Sequence, residues 1–197
     1  GNPAKPDEGW AYMAPFSPHA VIAEYTRPAR VVREGSMTVV PAMDDLHTID
    51  ASGRTREAFL TDGLRSLIEI PATSMGEYTV RWPGHIQRYQ STTLDPDALV
   101  EAWRYDADRP EFTWMEVAIE VGEKRIVWTV EDGGKDGDSS MARTTGLVTV
   151  ACVMAWCNNE LFDSGIHPPE HLPDDVIYDV IQSLSLIHIS EPTRPRI

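Results

Sequence analysis

Cysteine is nearly absent from this 197-residue chain, which carries only two. Cys152 and Cys157 fall five positions apart within one predicted helix, a spacing that turns their side chains roughly 140° from each other. That places them poorly for a disulfide or a shared metal. Buried, reduced thiols are the expectation, and with no apolar signal segment at the start a cytoplasmic setting follows. Uninterrupted apolar runs of membrane length are missing too, so no segment is expected to cross a bilayer. Positive charge is scarce: 17 Lys and Arg against 31 Asp and Glu give a formal net charge of -14. Such a surface repels nucleic acid and anionic lipid and leans slightly toward cationic small molecules. No Gly-x-Gly-x-x-Gly follows a predicted strand. The loop Gly133-Gly134-Lys135-Asp136-Gly137 lacks both the fingerprint spacing and the downstream acid that would hold a ribose, and reads as a flexible connection.

Hydrophobic residues at 42% and charged residues at 24% lie in the ordinary globular range. The length suits one domain with a substantial core. Ser17-Pro18 opens a helix to about Tyr25, with serine as cap and proline at the first helical position. Ala29 to Arg33 and Met37 to Val40 read as strands around a Glu34-Gly35-Ser36 turn. Arg56 to Ile70 places Phe59, Leu60, Leu64, Leu67 and Ile68 at helical spacing. Glu77 to Arg81 alternates as a strand that Pro83-Gly84 ends. Asp95-Pro96 starts a helix through Trp103, and Phe112 to Val121 with Arg125 to Val130 form a hairpin. Met141 to Trp156 reads as a helix, apolar almost all round and so in need of cover.

Two metal-like patterns fail. His167-Pro168-Pro169-Glu170-His171 has the letters of a His-x-x-Glu-His zinc site, which needs both histidines on one helical face, and its prolines forbid that helix. Asp132, Asp136 and Asp138 suggest a calcium loop whose glycine and terminal glutamate positions are unfilled. No metal site is expected.

Three blocks carry the most specific signal: Thr61-Asp62-Gly63-Leu64-Arg65-Ser66-Leu67, Thr79-Val80-Arg81-Trp82-Pro83-Gly84-His85, and Ser139-Ser140-Met141-Ala142-Arg143-Thr144-Thr145-Gly146. With Ala14-Pro15-Phe16-Ser17-Pro18-His19 and Tyr25-Thr26-Arg27-Pro28-Ala29-Arg30 before them and Gly165-Ile166-His167-Pro168-Pro169-Glu170 after, the chain resembles the second half of saccharopine dehydrogenase-like oxidoreductases, a family that includes lysine 6-dehydrogenase. The resemblance implies an α+β fold, a mixed sheet with helices on one face, forming the C-terminal domain of a two-domain dehydrogenase whose Rossmann half is missing. That domain is expected over residues 1–183, with 139–183 packing back on the absent half. Leu184 to Arg194 resembles one translated frame of a sequencing-library adapter, so 184–197 is set aside. NAD or NADP would be bound mainly by the missing half, and this chain alone is expected to be inactive. The implied chemistry is oxidation of a CH-NH group of a small amino acid in lysine metabolism, by a homodimer whose contact is the hairpin near Phe112 to Val130. A non-catalytic binding module and a polyamine-forming synthase of the same superfamily are the alternatives.

Oxidising an amine needs a base for the ammonium proton and anchors for the carboxylate. Arg81 is the candidate carboxylate anchor, because guanidinium can bind both oxygens; the other reading is an arginine paired with a neighbouring acid. Asp62 is the candidate to receive or deprotonate the ammonium, with Thr61 donating beside it, unless both cap a helix. His19 stands where saccharopine reductases resemble Ser-x-Arg, an arginine that would bind a substrate carboxylate. A shorter, partly charged histidine shifts the expectation to a smaller amino substrate or another amino dicarboxylate, with His19 as acid-base partner and Ser17 as a substrate contact; a surface histidine is the plainer alternative. Ser140 and Arg143, at a helix start, are candidates for a polar cofactor edge or for capping alone.

Overall fold

In the computed structural model, residues 2–135, 137–158, 164–171 and Tyr178 are described; the adapter-like 184–197 lies outside them. The sequence suits one domain, whereas the backbone groups into two compact units that meet between Arg109 and Pro110.

The first unit begins with a two-residue strand β1 (Asn2–Pro3) and helix α1 (Pro18–Thr26). Pro18 occupies the first turn as expected, but Ser17 makes no side-chain cap. Strands β2 (Ala29–Arg33) and β3 (Ser36–Val40) pair antiparallel, Arg33 opposite Ser36. Glu34 and Gly35 both take positive φ, 52° and 74°, as the two central residues of a turn matching the strands' right-handed twist must. β6 (Ser74–Met75) flanks β2 on its other side. A second sheet orders β4 (His47–Asp50), β5 (Thr55–Thr61) and β7 (Glu77–Arg81), again antiparallel.

β5 overturns the helix expected over Arg56 to Ile70. The segment is a strand to Thr61, a break at Asp62-Gly63, and a short 3-10 helix at Arg65–Glu69. As the central strand of its sheet, β5 buries Phe59 and Leu60 on opposite faces. A strand buried on both faces loses the alternation that identifies it, and its adjacent apolar residues mimic a helix. The fold class is α+β, as expected, with the strands arranged in small three-stranded sheets.

Past β7 the chain forms α2 (His85–Ser91), a helix absent from the sequence reading. Gly84 precedes it with φ 87°, and Glu57 of β5 accepts from the Gly84 and Ile86 amides at 3.1 and 2.7 Å. A carboxylate there satisfies free amides at the positive end of the helix. α3 (Pro96–Ala102) follows, its first turn capped by Asp95 accepting from Ala98 N–H at 2.9 Å. The core is aromatic: Tyr12, Tyr25, Phe59 and Trp103 are buried with Val21, Ile86 and Leu99.

The second unit holds the hairpin β8 (Glu111–Val121) and β9 (Lys124–Asp132) and the helix α4 (Ser140–Cys157), with a 3-10 turn at Pro169–His171. Ser139 caps α4, accepting from Ala142 N–H at 3.2 Å. Register pairs Met115 with Val130, Val117 with Trp128 and Ile119 with Ile126, so one hairpin face is apolar. The other presents Glu116, Glu120 and Arg125, joined by ion pairs at 3.4 and 3.5 Å. The expectation that α4 lies under cover is not met among the described residues. The helix is only 17% buried, and Val148, Val150, Val153 and Trp156 are exposed. By length and composition alone α4 could cross a membrane, although no unbroken apolar run marks it in the sequence. Nor are the thiols buried: Cys152 is half-buried and Cys157 exposed, both free.

Candidate functional site

Antiparallel register sets Thr61 opposite Glu77 and Phe59 opposite Thr79. Residues directly opposite share a face, and α1 covers this one, with Tyr25 edge-on to Phe59 at 5.5 Å. Where α1 ends, a small half-open pocket of about 90 Å³ remains, lined by Glu24, Arg27, Thr61, Asp62, Gly63, Arg65, Glu77 and Thr79. Several water-sized spheres would fit it, which is room for a charged headgroup.

Its three carboxyls differ in their surroundings. Asp62 is claimed by Arg30 in a fork, Nε to Oδ1 at 2.8 Å and Nη2 to Oδ2 at 3.0 Å, with the Arg30 amide adding 3.2 Å. These bonds hold the Asp62 carboxyl below the usual range, which makes it a weak base. Glu24 is pushed up by burial against the pull of Arg81, Arg27 and Arg65. Glu77 is pushed up by burial, and neighbouring Glu24 adds to the shift, while the hydrogen bond from Thr61 opposes it. Thr61 Oγ1 donates to Glu77 and lies 2.9 Å from Thr79 Oγ1.

Thr61 and Asp62 both line this pocket. Arg81 stands behind its wall. Nε donates to Tyr25 Oη at 2.7 Å, Nη1 to Val80 O at 3.0 Å, and Nη2 approaches Glu24 at 3.9 Å, with the guanidinium 4.6 Å from the centre of the Tyr12 ring. Committed in this way, Arg81 fixes Glu24 and is not an open carboxylate fork. Ser17 and His19 sit exposed at the start of α1 and line no part of the pocket. In the second unit, Ser140 gives amide and hydroxyl to Glu111, both at 2.6 Å, and Arg143 is paired with Asp132 at 3.2 Å. That helix start is filled by the protein's own carboxylate, and the pair does not fit a nicotinamide dinucleotide. Sequence reasoning missed Glu24 and Glu77; the placement of Glu77 in a strand directly after Gly76 offered only its distance from Thr61 once register was known.

Beneath the pocket, Arg81 and Tyr25 continue to His85. Tyr25 Oη lies 3.0 Å from His85 Nε2, and His85 Nδ1 lies 2.9 Å from Trp10 O. The carbonyl can only accept, so Nδ1 carries the proton and Nε2 accepts from Tyr25, whose oxygen accepts from Arg81. Burial, with Arg81 nearby, lowers the His85 pKa to about 4. A second ring proton would face a hydroxyl whose oxygen already receives Arg81. Because the folded pKa lies below the usual 6.5, this contribution to stability is complete above pH 6.5 and is lost as pH falls through about 4. The unit should lose about 3 kcal/mol from this group across that window. Thermal melts of His85→Gln should show a flatter acid limb than the parent; identical limbs would contradict it.

The fold defines a small α+β domain whose pocket carries both signs of charge. Residues 1–95, which include the whole pocket, match the family model described as the saccharopine dehydrogenase C-terminal domain. The structure is similar to apo histidine-tagged saccharopine dehydrogenase (L-Glu forming) from Saccharomyces cerevisiae, with TM-score 0.66 and 14% identity. The match covers 93% of this chain and 62% of that one, so the chain spans less than two thirds of that protein. Residues 1–95 are thus similar to a saccharopine dehydrogenase C-terminal domain, and the fold of the chain is similar to that of a saccharopine dehydrogenase.

Proposed function

We propose that this chain is the substrate-binding and oligomerisation half of an NAD(P)-dependent amino-acid oxidoreductase acting on a CH-NH group. The observation that carries the reading is the pocket: inside the family-matched segment, two half-buried glutamates face an ammonium-sized space rimmed by Arg27 and Arg65. An α-amino acid presents those two charges in reverse, so ammonium toward Glu24 and Glu77 and carboxylate toward the arginines satisfies both. The nicotinamide cofactor, when bound, supplies the hydride acceptor, and we assign its binding to a second half of the natural-length protein. α4's exposed apolar side chains suit cover by such a half. The apolar hairpin face, with Met115, Val117, Ile119 and Val121 exposed, suits a second copy as homodimer contact; light scattering giving a monomer for the natural-length protein removes that part.

The natural-length protein should reduce NAD⁺ or NADP⁺ with saccharopine or lysine and much less with carboxylate-free diamines. Reduction with diamines alone would favour a polyamine enzyme, and none with any amine a binding module.

A further inference from the structure

We infer that Glu77 is the proton-exchanging carboxyl of this pocket and the direct contact for a cationic amine, with Thr61 and Gly63 positioning it. This deepens, and rests on, the amino-acid reading above. Among the three pocket carboxyls, Asp62 is locked by Arg30 and Glu24 faces Arg81 at 3.9 Å. Glu77 instead receives its hydrogen bond from a neutral donor, the Thr61 hydroxyl, with the Gly63 amide nearby. A neutral donor aims a carboxyl without cancelling its charge, which leaves it open to a cation.

The local sequence is built around that carboxyl. A Cβ at position 63 would lie 2.6 Å from Glu77 Cδ and Oε2, so glycine is what leaves the carboxyl its place. Thr61 is buried at 3% exposure and anchored by Thr79. The charged groups around Glu77 are Glu24 and Arg27 at the end of α1, Asp62 and Arg65 after β5, and Arg81 further along β7. Burial and Glu24 favour the protonated form in the empty pocket.

Where Glu77 carries a proton, the entry of an alkylammonium breaks its O–H bond, the proton leaves to the buffer, and the carboxylate is held against the ammonium. No electrons move. In the intact enzyme the same carboxylate is placed to take one ammonium proton before oxidation.

The test is calorimetric titration of the full chain with L-lysine over a pH series spanning the carboxyl range, in two buffers of different ionisation enthalpy. The parent should release protons on binding. Glu77→Gln should abolish that release and weaken lysine roughly tenfold, the usual cost of a lost charge-assisted bond, whereas Asp62→Asn should keep the release. Gly63→Ala, which displaces the flexible Glu77 end and leaves the fold intact, should weaken lysine with little change in Tm. Binding with unchanged proton release in Glu77→Gln overturns the assignment alone. No binding of lysine by the parent overturns the amino-acid reading and this inference with it.

Discussion

Trp103→Ala should cost the Asn2–Arg109 unit about 3–5 kcal/mol, the range for removing a fully buried tryptophan. Trp103 is completely buried, and Trp10, Tyr12, His85 and Tyr25 pack around its ring at centroid distances of 5.4, 5.5, 5.8 and 5.9 Å. Most of these contacts are edge-to-face, which adds to the area buried. Its carbonyl also accepts from Ala14 N–H at 2.8 Å, tying the end of α3 to the segment before α1. The four rings around it are too large to turn into the resulting space without leaving space of their own. Against a typical domain stability of about 5–15 kcal/mol, the variant should unfold at much lower urea, and Trp103→Phe should recover part of the loss. A change under about 1 kcal/mol would contradict the placement of Trp103 at the centre.

Arg81→Met should lower stability by about 2–3 kcal/mol, somewhat under the cost of breaking a fully buried ion pair because Glu24 keeps part of its solvent. Methionine fills the stem's space but leaves Tyr25 without its donor and Glu24 without its nearest cation. Pocket affinity should fall as well, because Glu24 is then free to turn. Had Arg81 been an open carboxylate anchor, the variant would bind more weakly at unchanged Tm. Urea denaturation alongside lysine titration separates the two: a loss of affinity with stability intact would restore Arg81 to the pocket.

Much of the fold is legible where local chemistry decides it. Ser-Pro and Asp-Pro mark the starts of α1 and α3, and the hairpins at Glu34-Gly35 and Gly122-Glu123 announce themselves by glycine between alternating runs. β5 is not legible, since burial on two faces erases its period, and neither is α2, whose first amides are satisfied by Glu57, 28 positions from His85 in the chain. The site follows the same division. Thr61 and Asp62 stand out as a motif, yet the role of Asp62 depends on Arg30, which arrives from another sheet. Glu24 and Glu77 carry no motif; only the pairing of β5 with β7 and the cover of α1 bring them together. Arg81 looks free in sequence because nothing local reveals Tyr25, Tyr12 and Glu24 around it.

Amide chemical-shift mapping of the full chain with saccharopine and with lysine tests the central claim most directly. The account predicts saturable shifts centred on Thr61, Asp62, Gly63, Glu77 and Thr79, with the exposed His19 segment unmoved. Shifts confined to residues outside this pocket, or none at millimolar ligand, would contradict it.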